Sequence, residues 1–268
     1  MKYKHGLHYD YPEDVHGHMI APKQSRKDNL NKDYPYYGHT FWHKFVNVLI
    51  EIFFIVIAVP VMKIMYGYKI IGKKQLKKNH KDALKNGFIT VCNHIFDADY
   101  VVIRCAMKPK MGHVLLWKNN HLRRMGVWIR ASGSIPVPKN DLGATLSMMR
   151  GVDQALKDKH WVHIYPEASM FYWYQDIRPF TDGAAMFACR NNKPIIPMSF
   201  SYRPPRGLYK LWRRKGAPCV NISFGEPLYP NKDLPLKEAI VELNNRAHDA
   251  VKKLMVDNTP DVPDEGTK

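Results

Sequence analysis

Asn93-His94-Ile95-Phe96-Asp97-Ala98-Asp99 sets a histidine and an aspartate on either side of four residues, directly behind the apolar run Phe88-Ile89-Thr90-Val91-Cys92. A short apolar run of this kind reads as a buried strand, so His94 falls where a strand ends and a loop begins. Parallel-sheet proteins tend to place their chemistry at such strand ends. Imidazole is the side chain suited to take a proton from an alcohol near neutral pH, provided that a carboxylate orients it. Positions five apart do not face each other on a regular helix. His94 and Asp99 can therefore pair only if His94 sits in the turn before a helix and Asp99 in its first turns. The other reading is a helix cap beside a buried histidine. Among 13 histidines about one such spacing arises by chance, so the surroundings must decide.

Cys92 lies two residues before His94, and on a strand the two point to one face. That permits a Cys–His acyl-enzyme route, whereas the apolar neighbours suit a buried structural thiol. The four cysteines (Cys92, Cys105, Cys189, Cys219) are far apart and form no CxxC pair. They read as reduced thiols of a cytosol-facing protein and argue against a zinc site.

The elements that must position these residues follow from the apolar pattern. Strand-like runs occur at 67–71, 88–92, 114–117, 134–137, 162–165, 195–200 and 220–224. Helix-like stretches occur at 98–107, 120–131, 142–157, 183–190 and 236–254, the last with Leu236, Ile240, Leu243, Ala247, Val251 and Leu254 on one face. Alternation of this kind predicts an α/β fold: a mixed, largely parallel sheet flanked by helices.

Four segments are expected. Residues 1–40 carry prolines and scattered charge without apolar periodicity, and read as a poorly ordered polar arm whose five histidines are solvated rather than metal-binding. Residues 41–66 form a membrane-associated helix. Its longest uncharged run, Ile52 to Met62, is too short to span a bilayer alone, and His43, Asn47 and Glu51 make a polar stripe. A helix lying in one leaflet fits best, with a buried core helix as the alternative. Residues 67–256 form the main domain and 257–268 an acidic disordered tail. No secretory signal begins at Met1. The net charge of +17 is concentrated in the middle, where residues 41–256 hold 34 Lys/Arg against 15 Asp/Glu. A basic body of this kind implies an anionic partner: nucleic acid, a lipid surface or a phosphorylated substrate. The stretch from Arg203 to Lys215 mixes cations with Tyr209 and Trp212 and suits a membrane surface or an anionic donor.

Four blocks line up in order: Asn93-His94-x4-Asp99; Gly133-Ser134-Ile135-Pro136-Val137-Pro138-Lys139, preceded by Gly126 to Arg130; Tyr165-Pro166-Glu167-Ala168-Ser169-Met170; and Pro194-Ile195-Ile196-Pro197-Met198. Together, over about residues 69–230, they resemble the glycerolipid acyltransferase family, whose blocks read NHxxxxD, GxxFIDR, FPEGTRS and VPVxI. The resemblance implies transfer of a fatty acyl group from acyl-coenzyme A or an acyl carrier protein to a lysophospholipid hydroxyl, foremost 1-acyl-glycerol-3-phosphate. It implies His94 as general base and Asp99 as its orienter, with no metal or redox cofactor. Lys139, Glu167, Lys118, Arg130, Ser169 and Arg178 become candidates for holding the acceptor, at the cytoplasmic face of a cell membrane and with no specific nucleic acid. Ala168 and Met170 depart from the EGTR pattern and remove a cation; Arg178 is the expected substitute. The remaining alternatives are another lysolipid acceptor, or a non-catalytic lipid- or nucleic-acid-binding protein on the same scaffold.

Overall fold

The computed structural model describes residues 1–19, 30–38, 41–107, 111–119, 126–213 and 216–262. Among them seven strands form one sheet: β1 (Lys69–Ile71), β2 (Phe88–Val91), β3 (Gly112–Trp117), β4 (Ile135–Val137), β5 (Trp161–Ile164), β6 (Ile195–Arg203) and β7 (Cys219–Phe224). Their order is β1-β7-β6-β2-β5-β3-β4, and every pairing is parallel except β6 with β7. All seven expected runs are strands, and the sheet is mixed and largely parallel as the alternation predicts. β2 and β5 lie side by side, buried along their whole length. That is why they read as unbroken apolar runs rather than as an alternation: helices cover both faces of the sheet.

Alternate strand residues feed two cores. Phe88, Trp161, Ile196 and Met198 pack with α5 (Asp99–Met107) and the N-terminal helix. Ile89, Val91, Val162 and Ile195 pack with α7 (Leu142–Lys157), α8 (Gly183–Asn191) and α9 (Leu236–Asp257). α7 begins where the Asp141 side chain accepts from the Ala144 amide, satisfying one of the free N–H groups of its first turn. The short helices α3 (Lys73–Asn79) and α4 (Lys81–Lys85) were not anticipated, being too short and lysine-rich to show a periodic face. The helix expected over 120–131 appears as α6 (Gly126–Ala131), with 120–125 outside the described residues. Of the acidic tail, residues 257–262 are described, with Asp261 bridged to Lys2, and 263–268 lie outside them.

Residues 41–66 are helical throughout: α1 (Phe41–Phe53), a π-helical turn (Phe54–Ala58) and α2 (Val59–Tyr66). The wider turn sits where Pro60 lacks an N–H and its ring crowds the preceding turn. The stretch Phe45–Tyr66 is long and apolar enough to cross a membrane. It nevertheless packs along α5 and α6, and Asn47 and Glu51 of its polar stripe point inward, the His43 side chain lying outside the described set. Asn47 donates to the Ala131 carbonyl at 3.3 Å, and Glu51 pairs with the fully buried Arg104 of α5. Val48, Leu49, Ile52, Phe53, Ile55, Val56, Ile57 and Ile64 are exposed instead. A helix in water buries its apolar face; this one shows an apolar face and turns its one carboxylate, Glu51, inward.

The arm also departs from expectation. Residues 1–19 pack on the body. The Tyr11 ring stacks on Phe171 at 5.4 Å and its hydroxyl donates to the Tyr172 carbonyl. The buried His5 ring hydrogen-bonds the Trp173 carbonyl at 2.8 Å, and burial lowers its pKa. Expecting solvated histidines here was wrong for His5, whose aromatic partners lie some 170 residues away. His39 lies outside the described residues.

Candidate active site

Parallel register sets the site. Val91 pairs with Ile164, so the chain leaving β2 towards His94 runs beside the chain leaving β5 towards Glu167. α5 begins at Asp99, five residues after His94, which places the histidine in the turn and the aspartate at the helix start. His94 Nδ1 lies 2.5 Å from Asp99 Oδ2. The same oxygen accepts from the Ile95 amide at 3.1 Å. Asp99 is fully buried, whereas the His94 side chain retains 22% exposure. The first turn of α5 adds N–H groups that favour a carboxylate there.

Tyr165, one residue past β5, completes this arrangement. Its hydroxyl donates to Asp99 Oδ1 at 2.9 Å, and its ring stacks on the His94 imidazole with centroids 4.0 Å apart. Burial, followed by the Asp99 charge, pushes the Tyr165 phenol far above its usual range, so it remains a donor. Its place in the third block, where the pattern has Phe, was the one sequence signal for it, and sequence reasoning passed over it.

Beneath the dyad, His163 of β5 touches Thr90 Oγ1 at 2.8 Å and Cys92 Sγ at 3.5 Å. Burial pulls its pKa down to about 3, so the ring is neutral. Cys92 is fully buried, and desolvation pushes its thiol well above the usual range. A thiol held protonated and out of reach is a structural residue, which removes the Cys–His acyl-enzyme reading.

Glu167, Ser169 and Arg178 form a closed cluster. Glu167 Oε2 accepts from the His94 amide at 3.1 Å and from the Arg178 guanidinium at 2.8 Å, and Oε1 accepts from the Arg178 amide at 2.9 Å. Arg178 also donates to Ser169 Oγ at 2.7 Å and lies 3.9 Å over the Phe171 ring. All three side chains are buried. Burial raises the Glu167 pKa, and the Arg178 charge opposes that rise. These contacts pin the loop carrying His94 from inside the protein. Both Nη nitrogens of Arg178 are engaged by Glu167, Ser169 and the Val15 carbonyl rather than facing an acceptor, with Nε buried and without a partner among the described residues. Ala168 between them adopts φ 63°, a left-handed conformation that explains why the pattern has Gly at this place.

The remaining candidates divide between the two edges of the sheet. Lys118 follows β3 and the exposed Lys139 follows β4, both at the edge that carries His94. Arg130 does not join them. It ends α6, ahead of β4, and with His113, His160, Tyr37, Asn47 and Gly133 it lines a cavity of 530 Å³ at the opposite edge. Its expected acceptor contact is corrected by topology, since the chain reaches it before the strand that crosses to the His94 side.

The acyltransferase family model matches residues 68–201, half of the chain and all of the residues above that surround His94. A comparison with curated proteins finds no match. Among solved structures, the chain is similar to the 1-acyl-sn-glycerophosphate acyltransferase PlsC from Thermotoga maritima. The two are 18% identical with a TM-score of 0.51, over 79% of this chain and 81% of that one. At that identity the likeness speaks for the fold.

Proposed function

The chain belongs to the acyltransferase family and is an acyltransferase enzyme, and from that premise we propose that it transfers a fatty acyl group from a thioester donor to the free hydroxyl of 1-acyl-glycerol-3-phosphate. The observation that carries the reading is the asymmetry of His94. Nδ1 is held by a buried carboxylate at 2.5 Å, while Nε2 has no hydrogen-bond partner among the described residues and lies on a partly exposed ring. Asp99 fixes the tautomer with the proton on Nδ1, leaving Nε2 as the base.

In the proposed reaction Nε2 takes the acceptor's hydroxyl proton as the oxygen attacks the thioester carbonyl. The imidazolium formed is stabilised by Asp99, which stays ionised. The C–S bond then breaks, and the proton passes to the departing thiolate. Tyr165 aligns the pair, and Glu167 with Arg178 and Ser169 holds the loop. Lys118 and Lys139 serve the acceptor phosphate as point charges. The donor is acyl-coenzyme A or an acyl carrier protein; both present the same thioester.

The exposed apolar face of residues 45–66 is the proposed membrane contact, at the cytoplasmic face of a cell membrane. A helix packed lengthwise against the body lies in the bilayer plane rather than across it. Tyr66 at its end packs at a tilt against Phe96, two residues past His94, with ring centroids 4.9 Å apart, so a lipid acceptor would meet the dyad close to the surface. The basic stretch supports the same plane. Tyr209 donates to the Lys63 carbonyl and Arg213 to that of Met65, leaving Leu208, Lys210 and Leu211 exposed beside the helix. The Trp212 side chain and residues 214–215 lie outside the described set.

The test is a panel of lysolipid acceptors with both donor types, comparing wild type with His94→Ala. Turnover of 1-acyl-glycerol-3-phosphate that vanishes in the variant supports the reading. Preference for another headgroup, or turnover that survives the substitution, overturns it.

A further inference from the structure

Met170 stands where the third block has its arginine, and Arg178 is committed to Glu167 and Ser169. The cation shortfall at the acceptor site is therefore not filled from within the block. The N-terminal arm crosses this same edge of the sheet. Val15 accepts from the Arg178 guanidinium at 2.8 Å, His16 Nδ1 lies 3.2 Å from the Glu167 carbonyl, and Met19 Sδ accepts from the Tyr172 amide at 3.1 Å. Next to Met19, the exposed His18 ring stacks on Trp117 with centroids 5.9 Å apart.

Register gives the scale. Val114 of β3 pairs with His163 of β5, so Trp117 continues level with Pro166, and His94 continues level with Glu167 on the other side. Neighbouring strands lie about 4.8 Å apart. His16, on the Glu167 carbonyl, and His18, on the Trp117 ring, are thus held over adjacent strand ends within roughly two strand spacings of His94, and Trp117 is the chain neighbour of Lys118. Three imidazoles and a lysine lie along one edge, and two of the imidazoles come from a segment remote in sequence from the four blocks.

We infer that Val15–Met19 forms a wall of the acceptor site, with His18, and His16 from Nε2 as the imidazolium whose Nδ1–H is already on the Glu167 carbonyl, donating hydrogen bonds to the phosphomonoester of the lysolipid. This rests on the proposed acyl transfer to a phosphate-bearing acceptor. His94 performs the chemistry, and the arm supplies ground-state binding, which raises KM when removed and leaves kcat.

The experiment is steady-state kinetics of the full chain with 1-acyl-glycerol-3-phosphate and the donor that supports turnover, comparing wild type with His16→Gln/His18→Gln and with His16→Arg/His18→Arg. The glutamine variant should raise acceptor KM about tenfold, the scale of a lost bond to a charged group, with kcat within about twofold. The arginine variant should recover most of that KM. An unchanged acceptor KM, a rise in donor KM instead, or a fall in kcat alone overturns the inference while wild-type turnover leaves the proposed function standing. Loss of the folded state in the glutamine variant alone, read from its unfolding midpoint, assigns the arm a structural role and overturns it too. A wild type that acylates no phosphate-bearing lysolipid removes both.

Discussion

The Tyr165 hydroxyl donates to Asp99 Oδ1 at 2.9 Å while its ring covers the His94 imidazole, so one side chain holds both partners of the dyad. Replacing it with Phe keeps the ring and removes the donor. Asp99 then loses one of the hydrogen bonds that fix its carboxylate against the imidazole. Tyr165→Phe should lower kcat about threefold to tenfold, the scale of one lost hydrogen bond to a charged group, with little change in the unfolding midpoint. An unchanged kcat would leave Tyr165 with packing only.

General-base catalysis is worth about 10²–10⁴ in rate. His94→Ala and Asp99→Asn should each cost a factor in that range, the second because an amide favours the wrong imidazole tautomer. Cys92→Ala should keep kcat within about twofold, since its thiol is held neutral and buried. Loss comparable to His94→Ala would restore the nucleophilic cysteine.

Ala168 carries a left-handed φ of 63° that costs an L-residue roughly 1–2 kcal/mol. Part of that gain is offset by the looser unfolded chain of a glycine variant. Ala168→Gly should therefore stabilise the protein by roughly 0.5–1 kcal/mol in urea unfolding. A lower midpoint would show that the methyl group packs usefully.

His163 and His113 both have pKa values pulled down from 6.5 to about 3, chiefly by burial. Each binds its proton more readily when unfolded. Their contribution to stability is whole above pH 6.5 and is lost as pH falls towards 3, with a slope of about 1.4 kcal/mol per pH unit for each group. Urea unfolding between pH 7 and pH 4.5 should show a slope reduced by about one proton in His163→Asn. An unaltered slope would mean that His163 is protonated in the fold.

Val56 and Ile64 are 64% and 58% exposed. Aspartate at both positions has little packing to lose but places charge on the apolar face. The double variant should sediment with phospholipid vesicles far less than wild type while its unfolding midpoint stays put. Undiminished vesicle binding would move the membrane contact elsewhere.

The seven apolar runs determined the strands, and the alternation with helices determined the layered sheet, because burial on both faces writes itself as local hydrophobic pattern. The His94–Asp99 spacing likewise anticipated its own geometry, since a turn followed by a helix start is a local event. Tertiary structure alone decided the rest. Glu167, Arg178 and Ser169 read as acceptor contacts, yet Glu167 and Arg178 close on one another inside the protein and Ser169 accepts from the same guanidinium. Arg130, adjacent in sequence to the second block, lies at the opposite edge because a strand separates it from Lys139. Asn47 and Glu51 of α1 turned inward because the Ala131 carbonyl and Arg104 wait there. The arm resembled disorder because its order comes from aromatic partners some 160 residues away, and no periodicity records contacts made at that distance.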